Sequence, residues 1–181
     1  MIYNEKVILK NGAELIVRNG TEADGAAVFD VFNQTHAETE FLLSYPDENS
    51  FDAVGEAEFL KKKTESEREI EIIALLDGRI VACAGIEAVG SKSKVKHRAV
   101  FGISVLKDYW RLGIGDALAE ACIKCAKEAG YAQLELDVVA DNAGARALYE
   151  KHGFVEFGRN PLGFRPRSGE YQELLYMRLE L

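Results

Sequence analysis

The sequence predicts one α/β domain over residues 1–181, with a mixed, mostly antiparallel central sheet of about seven strands flanked by helices. Three observations support this fold class. The length of 181 residues is usual for a single domain, and 48% of the residues are hydrophobic, as in globular proteins. Short apolar runs are joined by tight turns such as Asp77-Gly78, which is typical of antiparallel hairpins. These runs alternate with amphipathic stretches of helical period, as in domains whose helices cover a sheet.

The N-terminal part is predicted to form a hairpin and a helix. Apolar runs on both sides of Asn11-Gly12 predict the hairpin. Thr21 and Asp24 are three residues apart, the spacing of an N-cap pair, and predict a helix that opens there. Residues 38–50 hold no single hydrophobic period, so we expect a loop or a broken helix.

The middle of the chain predicts a second helix over residues 51–66 and a hairpin of residues 69–76 and 79–89. A strand follows over residues 98–106. Because apolar residues occupy nearly every position of that strand, we expect it to be buried on both faces.

The C-terminal part begins with an amphipathic helix over residues 113–129, closed by Gly130. Its apolar residues recur at the i, i+3 and i+4 spacing of one helix face. The remaining predicted elements are, in chain order, a strand over 133–139, a helix over 142–152, and strands over 154–157 and 171–181 around a loop at 158–169.

The charge balance excludes several kinds of partner. The chain carries 22 Lys and Arg against 30 Asp and Glu, a net charge of −8, whereas nucleic acids and anionic membranes bind basic surfaces. No apolar run approaches the ~20 residues that span a bilayer, and the N-terminus shows no leader pattern. We therefore expect a cytoplasmic protein that binds neither nucleic acid nor membrane.

The chain has three cysteines, Cys83, Cys122 and Cys125, an odd and low number that fits a reducing compartment. The Cys122-x-x-Cys125 spacing also occurs in redox and zinc sites. Here the pair lies deep inside a predicted helix, and no second Cys or His pair completes a zinc site. We therefore predict core thiols and no metal.

A glycine pair, Gly113 and Gly115, stands between the predicted strand and the amphipathic helix. A helix N-terminus presents unpaired N–H groups and partial positive charge, and glycines let an anion approach the backbone, so this segment favours phosphate binding. A dinucleotide fingerprint would need a third glycine where Leu118 stands. A nucleotide-hydrolase loop would need Lys-Ser/Thr, which Asp116-Ala117 does not supply.

A second segment places Asn142, Ala145 and Tyr149 three and four residues apart, on one face of the predicted helix. That face carries an amide, a small residue and a phenol. An ordinary amphipathic helix that packs into the core is the alternative interpretation.

Together the two segments resemble the GNAT superfamily of N-acetyltransferases. The first is similar to its acetyl-CoA motif, Gln/Arg-x-x-Gly-x-Gly/Ala, except that Trp110 takes the Gln/Arg position and Arg111 follows one place later. The second matches its Asn-x-x-Ala-x-x-Leu-Tyr-Glu-Lys-x-Gly-Phe helix from Asn142 to Phe154. The resemblance covers about residue 13 to the C-terminus. It implies the GNAT-like acyl-CoA N-acyltransferase fold.

The resemblance also implies acetyl-CoA as co-substrate. Backbone amides from Arg111 to Gly115 would bind the pyrophosphate, and Asn142 and the main chain of Ile103 and Val105 would bind the pantetheine arm beside a splayed sheet. The 3′-phosphate partner stays open among Lys107, Arg111, Arg146 and Lys151. The predicted cofactor-binding set is Ile103, Ser104, Val105, Trp110, Arg111, Leu112, Gly113, Ile114, Gly115, Asp116, Asn142, Ala145 and Tyr149.

The implied reaction is direct attack of a free amine on the thioester. The N–H of Val105 would stabilise the oxyanion, and Tyr149 would protonate the leaving thiolate. Relatives often place a Glu that acts as the general base on the strand before the glycine loop. Ala99 occupies that position here. His97 and Glu87 are the candidate bases instead, with a water chain as the alternative.

The implied acceptor is a primary amine on a small molecule or peptide, bound between the early helices and the last hairpin. Phe41, Tyr45 and Arg165 are the predicted lining. Arg165, with Arg159 and Arg167, would favour an acceptor that carries a carboxylate or phosphate, unless all three are solvated loop charges. A non-catalytic acyl-CoA-binding or interaction module is the alternative function, and a homodimer stays open.

Overall fold

The computed structural model describes every residue from Met1 to Leu181 and contains eight strands and four α-helices. Three short 3-10 turns accompany them. In chain order the elements are β1 (Asn4–Ile8), β2 (Glu14–Asn19), α1 (Gly25–Glu38), α2 (Ala53–Glu65), β3 (Ile70–Leu76), β4 (Arg79–Ala88), β5 (Arg98–Val105), α3 (Ile114–Glu128), β6 (Gln133–Val139), α4 (Ala143–Lys151), β7 (Val155–Phe164) and β8 (Gln172–Glu180).

The eight strands form one sheet in the order β1-β2-β3-β4-β5-β6-β8-β7. Every neighbouring pair is antiparallel except β5 and β6, which run parallel. The prediction of a mixed, mostly antiparallel sheet flanked by helices is therefore confirmed. The sheet has eight strands instead of about seven, because each predicted apolar run forms a strand of its own.

The parallel pair opens partway along the sheet. Residues Arg98–Val100 of β5 pair with Gln133–Glu135 of β6, and the pairing ends there. Beyond this point β5 continues to Val105 with β4 as its only neighbour, while β6 continues to Val139 along β8. The two strands therefore separate and leave a gap in the sheet, which we call the β5–β6 gap.

The helices cover the two faces of the sheet. α3 packs against β2–β5 on one face, where Leu118, Cys122 and Cys125 are buried. α1 and α2 pack against β3, β4 and each other on the opposite face. The prediction of core thiols is confirmed for Cys122 and Cys125, and burial raises the pKa of both groups. None of the helices combines the length and apolarity needed to cross a membrane.

The start of α1 follows the predicted N-cap pair. Asp24 accepts hydrogen bonds from the backbone N–H of Thr21 at 2.9 Å and from its hydroxyl at 2.8 Å. Arg18 of β2 donates two more to the same carboxylate, at 2.7 and 2.8 Å, and these bonds lower the pKa of Asp24 to about 2. The charge of Arg18 and the turn at Thr21 therefore fix where α1 leaves the sheet.

Strand β5 corrects the expectation that both of its faces are buried. Ala99 and Phe101 are buried, but Val100 is 43% exposed and Gly102 is exposed as well. The reason is that α3 covers only one face of this strand. The other face, which carries the side chains of Val100 and Ser104, borders a cavity.

The last hairpin corrects the predicted loop at 158–169. β7 extends from Val155 to Phe164, so most of that segment is strand, and its ladder with β8 is irregular between Glu156 and Gly158 and between Asn160 and Phe164. β7 is the edge of the sheet. At an edge, Pro161 breaks no ladder and glycine bulges are tolerated, so residues that usually signal a loop stand inside a strand.

The crossing of α1 and α2 depends on Gly25. A β-carbon at Gly25 would lie 2.6–2.7 Å from the β-carbon, Cα and N of Ala57, which real contacts do not allow. The equivalent position at Gly55 of α2 is open, with Cδ1 of Phe51 as the nearest atom at 3.4 Å. The close approach at Gly25 therefore sets the spacing of the two helices.

We expect Gly25→Ala to lower the free energy of unfolding by about 2 kcal/mol or more, because backbone atoms of α2 cannot move aside. Gly55→Ala is the matched control and should leave stability unchanged or raise it by about 0.5 kcal/mol through helix propensity. Urea unfolding of the two variants measures both values. Equal stability of the two would contradict the proposed role of Gly25.

Candidate functional site

The turn between β5 and α3 presents a row of free backbone donors. The N–H groups from Arg111 to Asp116 donate to no backbone acceptor, and the first bonded one is that of Ala117, which reaches the Gly113 carbonyl at 3.1 Å. Arg111 and Gly113 both have positive φ, 64° and 93°. Alternation of such conformations curves successive N–H groups around a common point, which makes an anion-binding concavity.

The concavity is open to solvent. A β-carbon at Gly113 would meet only Leu9 Cδ2, at 3.9 Å. On the other side, a β-carbon at Gly115 would lie 3.2 Å from Leu148 Cδ2, so α4 lies close to the first turn of α3. Lys151 Nζ and His152 Nε2 reach Asp116 at 2.6 and 2.8 Å and tie α4 to the same turn.

The four basic candidates near this turn differ in what they already bind. Lys151 is paired with Asp116, and Arg146 donates to the Ala140 carbonyl at 3.1 Å. Lys107 and Arg111 take part in no ion pair. These two cations are therefore available for a ligand phosphate at the turn.

The backbone N–H and C=O groups of β5 point alternately toward β4 and away from it. Leu106 N–H donates to the Val81 carbonyl, and the Arg98 carbonyl accepts from Val89 N–H, so even-numbered residues bond to β4. Since the bonding direction alternates along an antiparallel strand, the N–H and C=O groups of Ile103 and Val105 face the β5–β6 gap. They form an unpaired strand edge inside the sheet.

Trp110 occupies the margin of this gap. Its indole N–H donates to the Val105 carbonyl at 2.7 Å, and the side chain is 41% exposed. The residue that departs from the acetyl-CoA motif therefore contacts the strand edge through a hydrogen bond of its own. That bond leaves the Val105 N–H unaffected.

Tyr149 lies behind β5, on the face that α3 covers. It is 6% exposed and packs against Phe101 and Phe154, with ring centroids 6.0 and 5.7 Å apart. Burial, with a smaller effect of the Asp137 charge, raises the pKa of Tyr149 above its usual value. The phenol therefore stays protonated through the neutral range.

Asn142 caps α4. Its side-chain oxygen accepts from the Ala145 N–H at 3.1 Å, which is the bond of an N-cap residue. The amide group of the same side chain donates to no protein atom. One end of Asn142 thus supports the helix, and the other end is free.

On the opposite face of the sheet lies a cavity of about 470 Å³, which we call the α1–α2 cavity. Its floor is the face of β3, β4 and β5 that α3 does not cover, and its walls are α1, α2 and the segment before α2. The lining residues are Val28, Phe32, His36, Leu42, Ser44, Glu48, Asn49, Ser50, Phe51, Glu56, Phe59, Glu71, Cys83, Ala84, Gly85, Glu87, Val100, Gly102, Ile103 and Ser104.

Glu71 lies across the floor of the cavity. In register it sits beside Gly85, which sits beside Gly102. A β-carbon at Gly85 would overlap Glu71 Oε2, whereas one at Gly102 would meet nothing within 4 Å. The two glycines thus form a trough in the surface of the sheet. The Glu71 carboxylate lies in this trough over Gly85, and the space over Gly102 is open.

Burial raises the pKa of Glu71 to about 8, with Lys63 opposing the shift and Glu56 and Glu87 adding to it. Glu87 differs from Glu71 because it forms an ion pair with Lys63 at 2.8 Å. Lys63 also pairs with Glu69 at 3.1 Å. Glu71 is therefore a carboxylate on the floor that can exchange a proton near neutral pH.

Two further ionisable groups line the walls. Glu56 of α2 is 6% exposed and has no hydrogen-bond or ion-pair partner, and burial raises its pKa. His36 of α1 lies against Phe32, and its Nδ1 is 2.7 Å from the Phe32 carbonyl. Because a carbonyl only accepts, Nδ1 carries the proton. Burial lowers the pKa of His36, which keeps the ring neutral.

The structure places one predicted base candidate outside the cavity. His97 is exposed and precedes β5. At about 3.3 Å per residue it is roughly 26 Å along the strand from Val105. Ala99 is buried on the α3 face, so a Glu there would point away from the cavity. The β5 positions that face the cavity are those of Val100, Gly102 and Ser104.

The three predicted acceptor contacts, Phe41, Tyr45 and Arg165, are absent from the cavity lining, although their neighbours Leu42 and Ser44 are present. Tyr45 instead links two loops: its hydroxyl donates to Glu40 at 2.6 Å and accepts from the Arg167 N–H at 2.9 Å.

The three arginines of the last hairpin are engaged elsewhere. Arg167 pairs with Asp47 at 2.8 Å, Arg159 pairs with Glu156 and Glu173, and Arg165 lies over the Tyr171 ring. None of them lines the cavity. Loop carboxylates pair with Arg159 and Arg167, and the expectation that the three arginines favour an acidic acceptor stays a prediction.

Sequence reasoning missed Glu56 and Glu71. For Glu71 a signal existed, because a charged residue stands inside an apolar strand and Gly85 and Gly102 interrupt the two following strands. Glycines inside strands mark places where another group approaches the backbone closely. For Glu56 no signal existed, since one acidic residue on a charged helix face looks like its solvated neighbours.

The comparisons with known proteins agree with this geometry. The model of the acetyltransferase (GNAT) family matches residues 28–154. The L-amino acid N-acetyltransferase of Escherichia coli K12 is 26% identical over 168 residues, 91% of this chain and 97% of that protein. The ribosomal protein bS18 alanine N-acetyltransferase of the same strain is 37% identical over 92 residues, 51% of this chain and 59% of that protein.

Among solved structures, an acetyltransferase of the GNAT family from Streptococcus pneumoniae superposes with a TM-score of 0.88 at 29% identity. The superposition covers 92% of this chain and 99% of that one. The likeness therefore extends over nearly the whole of both chains.

Proposed function

This chain belongs to the GNAT family of acetyltransferases, and we propose that it works at the β5–β6 gap, where an amine from the α1–α2 cavity attacks acetyl-CoA. It is an acetyl-CoA-dependent N-acetyltransferase whose acceptor carries an amine. One observation carries the proposed location: the unpaired edge of β5 runs directly into a turn with six free N–H groups.

The residues of the gap fit acetyl-CoA. The free N–H groups from Arg111 to Asp116 would hold the pyrophosphate, which needs several donors around one anion. Ile103 and Val105 would bind the amide groups of the pantetheine arm as a neighbouring strand does. The free amide of Asn142 would donate to the same arm.

Lys107 and Arg111 would meet the 3′-phosphate, because the other two basic candidates, Arg146 and Lys151, already hold protein partners. Lys107 and Arg111 both lie beside the turn in sequence and are free of ion pairs.

The acceptor nitrogen must lose two protons, one from the ammonium group before attack and one after the C–N bond forms, and the sulfur must gain one. Glu71 would accept the proton of the incoming ammonium group, since a base that titrates near 8 is matched to neutral operation. The Val105 N–H would stabilise the oxygen of the thioester carbonyl as it becomes negative. The C–N bond forms and the C–S bond breaks.

Tyr149 would complete the reaction by donating to the departing sulfur, whose thiol form has an ordinary pKa near ~8.5. Burial keeps the phenol protonated until the sulfur becomes negative. The second nitrogen proton would return through solvent to the Tyr149 phenolate, and solvent would take the proton from Glu71, so that one proton is released overall. Relative to the other base candidates, Glu71 is supported by its place on the cavity floor, whereas Glu87 is paired with Lys63 and His97 is remote.

The activity itself is tested by thiol release. With acetyl-CoA and a panel of free amines, we expect thiol and acetylated amine to appear in equal amounts. Binding of acetyl-CoA is measured in parallel by calorimetry. Tight binding without turnover of any amine would contradict the enzyme and favour a non-catalytic acyl-CoA-binding module.

For Tyr149→Phe we expect kcat to fall about 100-fold, because general acid catalysis typically contributes ~10²–10⁴. The Kd for acetyl-CoA should stay within about twofold, since the ring still packs against Phe101. Tyr131→Phe is the matched control, because Tyr131 is also buried but its hydroxyl is far from the gap and unpaired. An unchanged kcat in Tyr149→Phe would remove the proposed role.

For Glu71 we expect a rising limb in the pH profile of kcat/KM. The base must be ionised, so activity should rise as pH increases through about 8, the pKa of Glu71 in the free enzyme. Glu71→Gln should lose this limb and at least about 90% of its kcat at pH 7.5. Glu87→Gln, which alters a cavity carboxylate paired with Lys63, should keep the limb. A profile unchanged in Glu71→Gln would exclude Glu71 as the base.

A further inference from the structure

We propose that the acceptor is a diamine-type cation: a primary amine on an aliphatic chain whose far end carries a second positive charge, held by Glu56, and which has no carboxylate. The proposal rests on the proposed function, because it takes the α1–α2 cavity as the acceptor site. It goes further by naming what that cavity selects.

The charge of the cavity lining is one-sided. Four carboxylates line it, those of Glu48, Glu56, Glu71 and Glu87, and no Lys or Arg does. The basic candidate, His36, has its Nδ1–H bound to the Phe32 carbonyl and stays neutral. A ligand with a carboxylate would therefore meet like charges, because the one lysine beside the lining, Lys63, is already bound to Glu69 and Glu87, whereas a cation would meet opposite charges.

Glu56 is the strongest single indication. The residue is 6% exposed, its carboxylate has no protein partner, and it lines the cavity. A buried carboxylate without a partner is costly, and proteins generally provide one. Two lysines of the same helix are already paired elsewhere, Lys61 with Glu22 and Lys63 with both Glu69 and Glu87. A cationic group of the ligand would be the missing partner.

The walls suit the chain between the two charges. Phe51 and Phe59 stand with ring centroids 5.9 Å apart, and Phe32 lines the α1 side. Apolar faces bury methylene groups, and aromatic rings attract an ammonium group placed over them. Lys63 Nζ lies 5.0 Å from the Phe59 centroid, so one ring of this wall already makes a contact of that kind with a primary ammonium group.

The assignment gives the two acids different roles. Glu71 lies in the glycine trough beside β5 and would take the proton of the reacting amine. Glu56 is on α2, across from β5, and would hold the distal charge without exchanging a proton. Glu56 is therefore a specificity residue, and its loss should affect KM and selectivity more than kcat.

The test uses three acceptors of matched length: 1,5-diaminopentane, pentylamine and 5-aminopentanoate. They differ only in the far end, which is positive, neutral or negative. We expect kcat/KM to fall at least about tenfold at each step in that order, as the loss of a charge-assisted contact implies. An alanine-initiated peptide and L-alanine complete the panel, since the names of two relatives give an alanine of ribosomal protein bS18 and L-amino acids as their acceptors.

Glu56→Gln should raise KM for 1,5-diaminopentane about tenfold, leave kcat within about twofold and remove its advantage over pentylamine. Glu58→Gln, an exposed carboxylate on the same helix, is the matched control and should change neither value. Calorimetry with CoA present should show 1,5-diaminopentane binding the wild type and losing affinity in Glu56→Gln.

Each of the remaining outcomes would overturn the diamine assignment, the proposed function or both. A preference for 5-aminopentanoate, L-alanine or the peptide, or an equal response to diamine and pentylamine, would overturn the diamine assignment while leaving acetyl transfer intact. Turnover of no amine, with 1,5-diaminopentane still bound through Glu56, would overturn the proposed function and keep the binding assignment. If no amine were acetylated and 1,5-diaminopentane did not bind, the proposed function and the diamine assignment would both be wrong.

Discussion

The site depends on one constraint: strand β5 is hydrogen-bonded along its whole length on one side but along only three residues on the other. The backbone groups of Ile103 and Val105 are left without a strand partner inside a sheet that is otherwise continuous. An unpaired strand edge in a sheet interior is costly unless a ligand supplies the missing bonds. The gap follows from the divergence of β6 toward β8, and the free turn and Trp110 lie at its margin.

A second constraint acts on the opposite face. Gly85 and Gly102 remove two side chains from the cavity floor, which lets the Glu71 carboxylate lie flat on the sheet. The same trough withdraws that carboxylate from water and makes its charged form harder to maintain. The two missing β-carbons therefore explain two properties of the site: the space that the Glu71 side chain occupies and the raised pKa of its carboxyl group.

Much of the fold could be predicted because local patterns decided it. The Asp77-Gly78 hairpin, the cap at Thr21 and the amphipathic helix α3 each carry their signal within a few residues. The predictions for β5 and β7 were wrong where the answer depended on neighbours. The exposure of Val100 depends on which helix covers that face, and the length of β7 depends on its place at the sheet edge.

For the site, the anion-binding turn could be predicted because it is contiguous in sequence, while the cavity joins residues from α1, α2 and three strands. No spacing rule brings Glu56 near Glu71, fifteen positions later on another element. The hydrogen bond of Trp110 to Val105 has one more consequence. Because Trp110 is the sole tryptophan of the chain and lies half-exposed at the gap, its ultraviolet emission is an intrinsic optical reporter of whether that gap is filled.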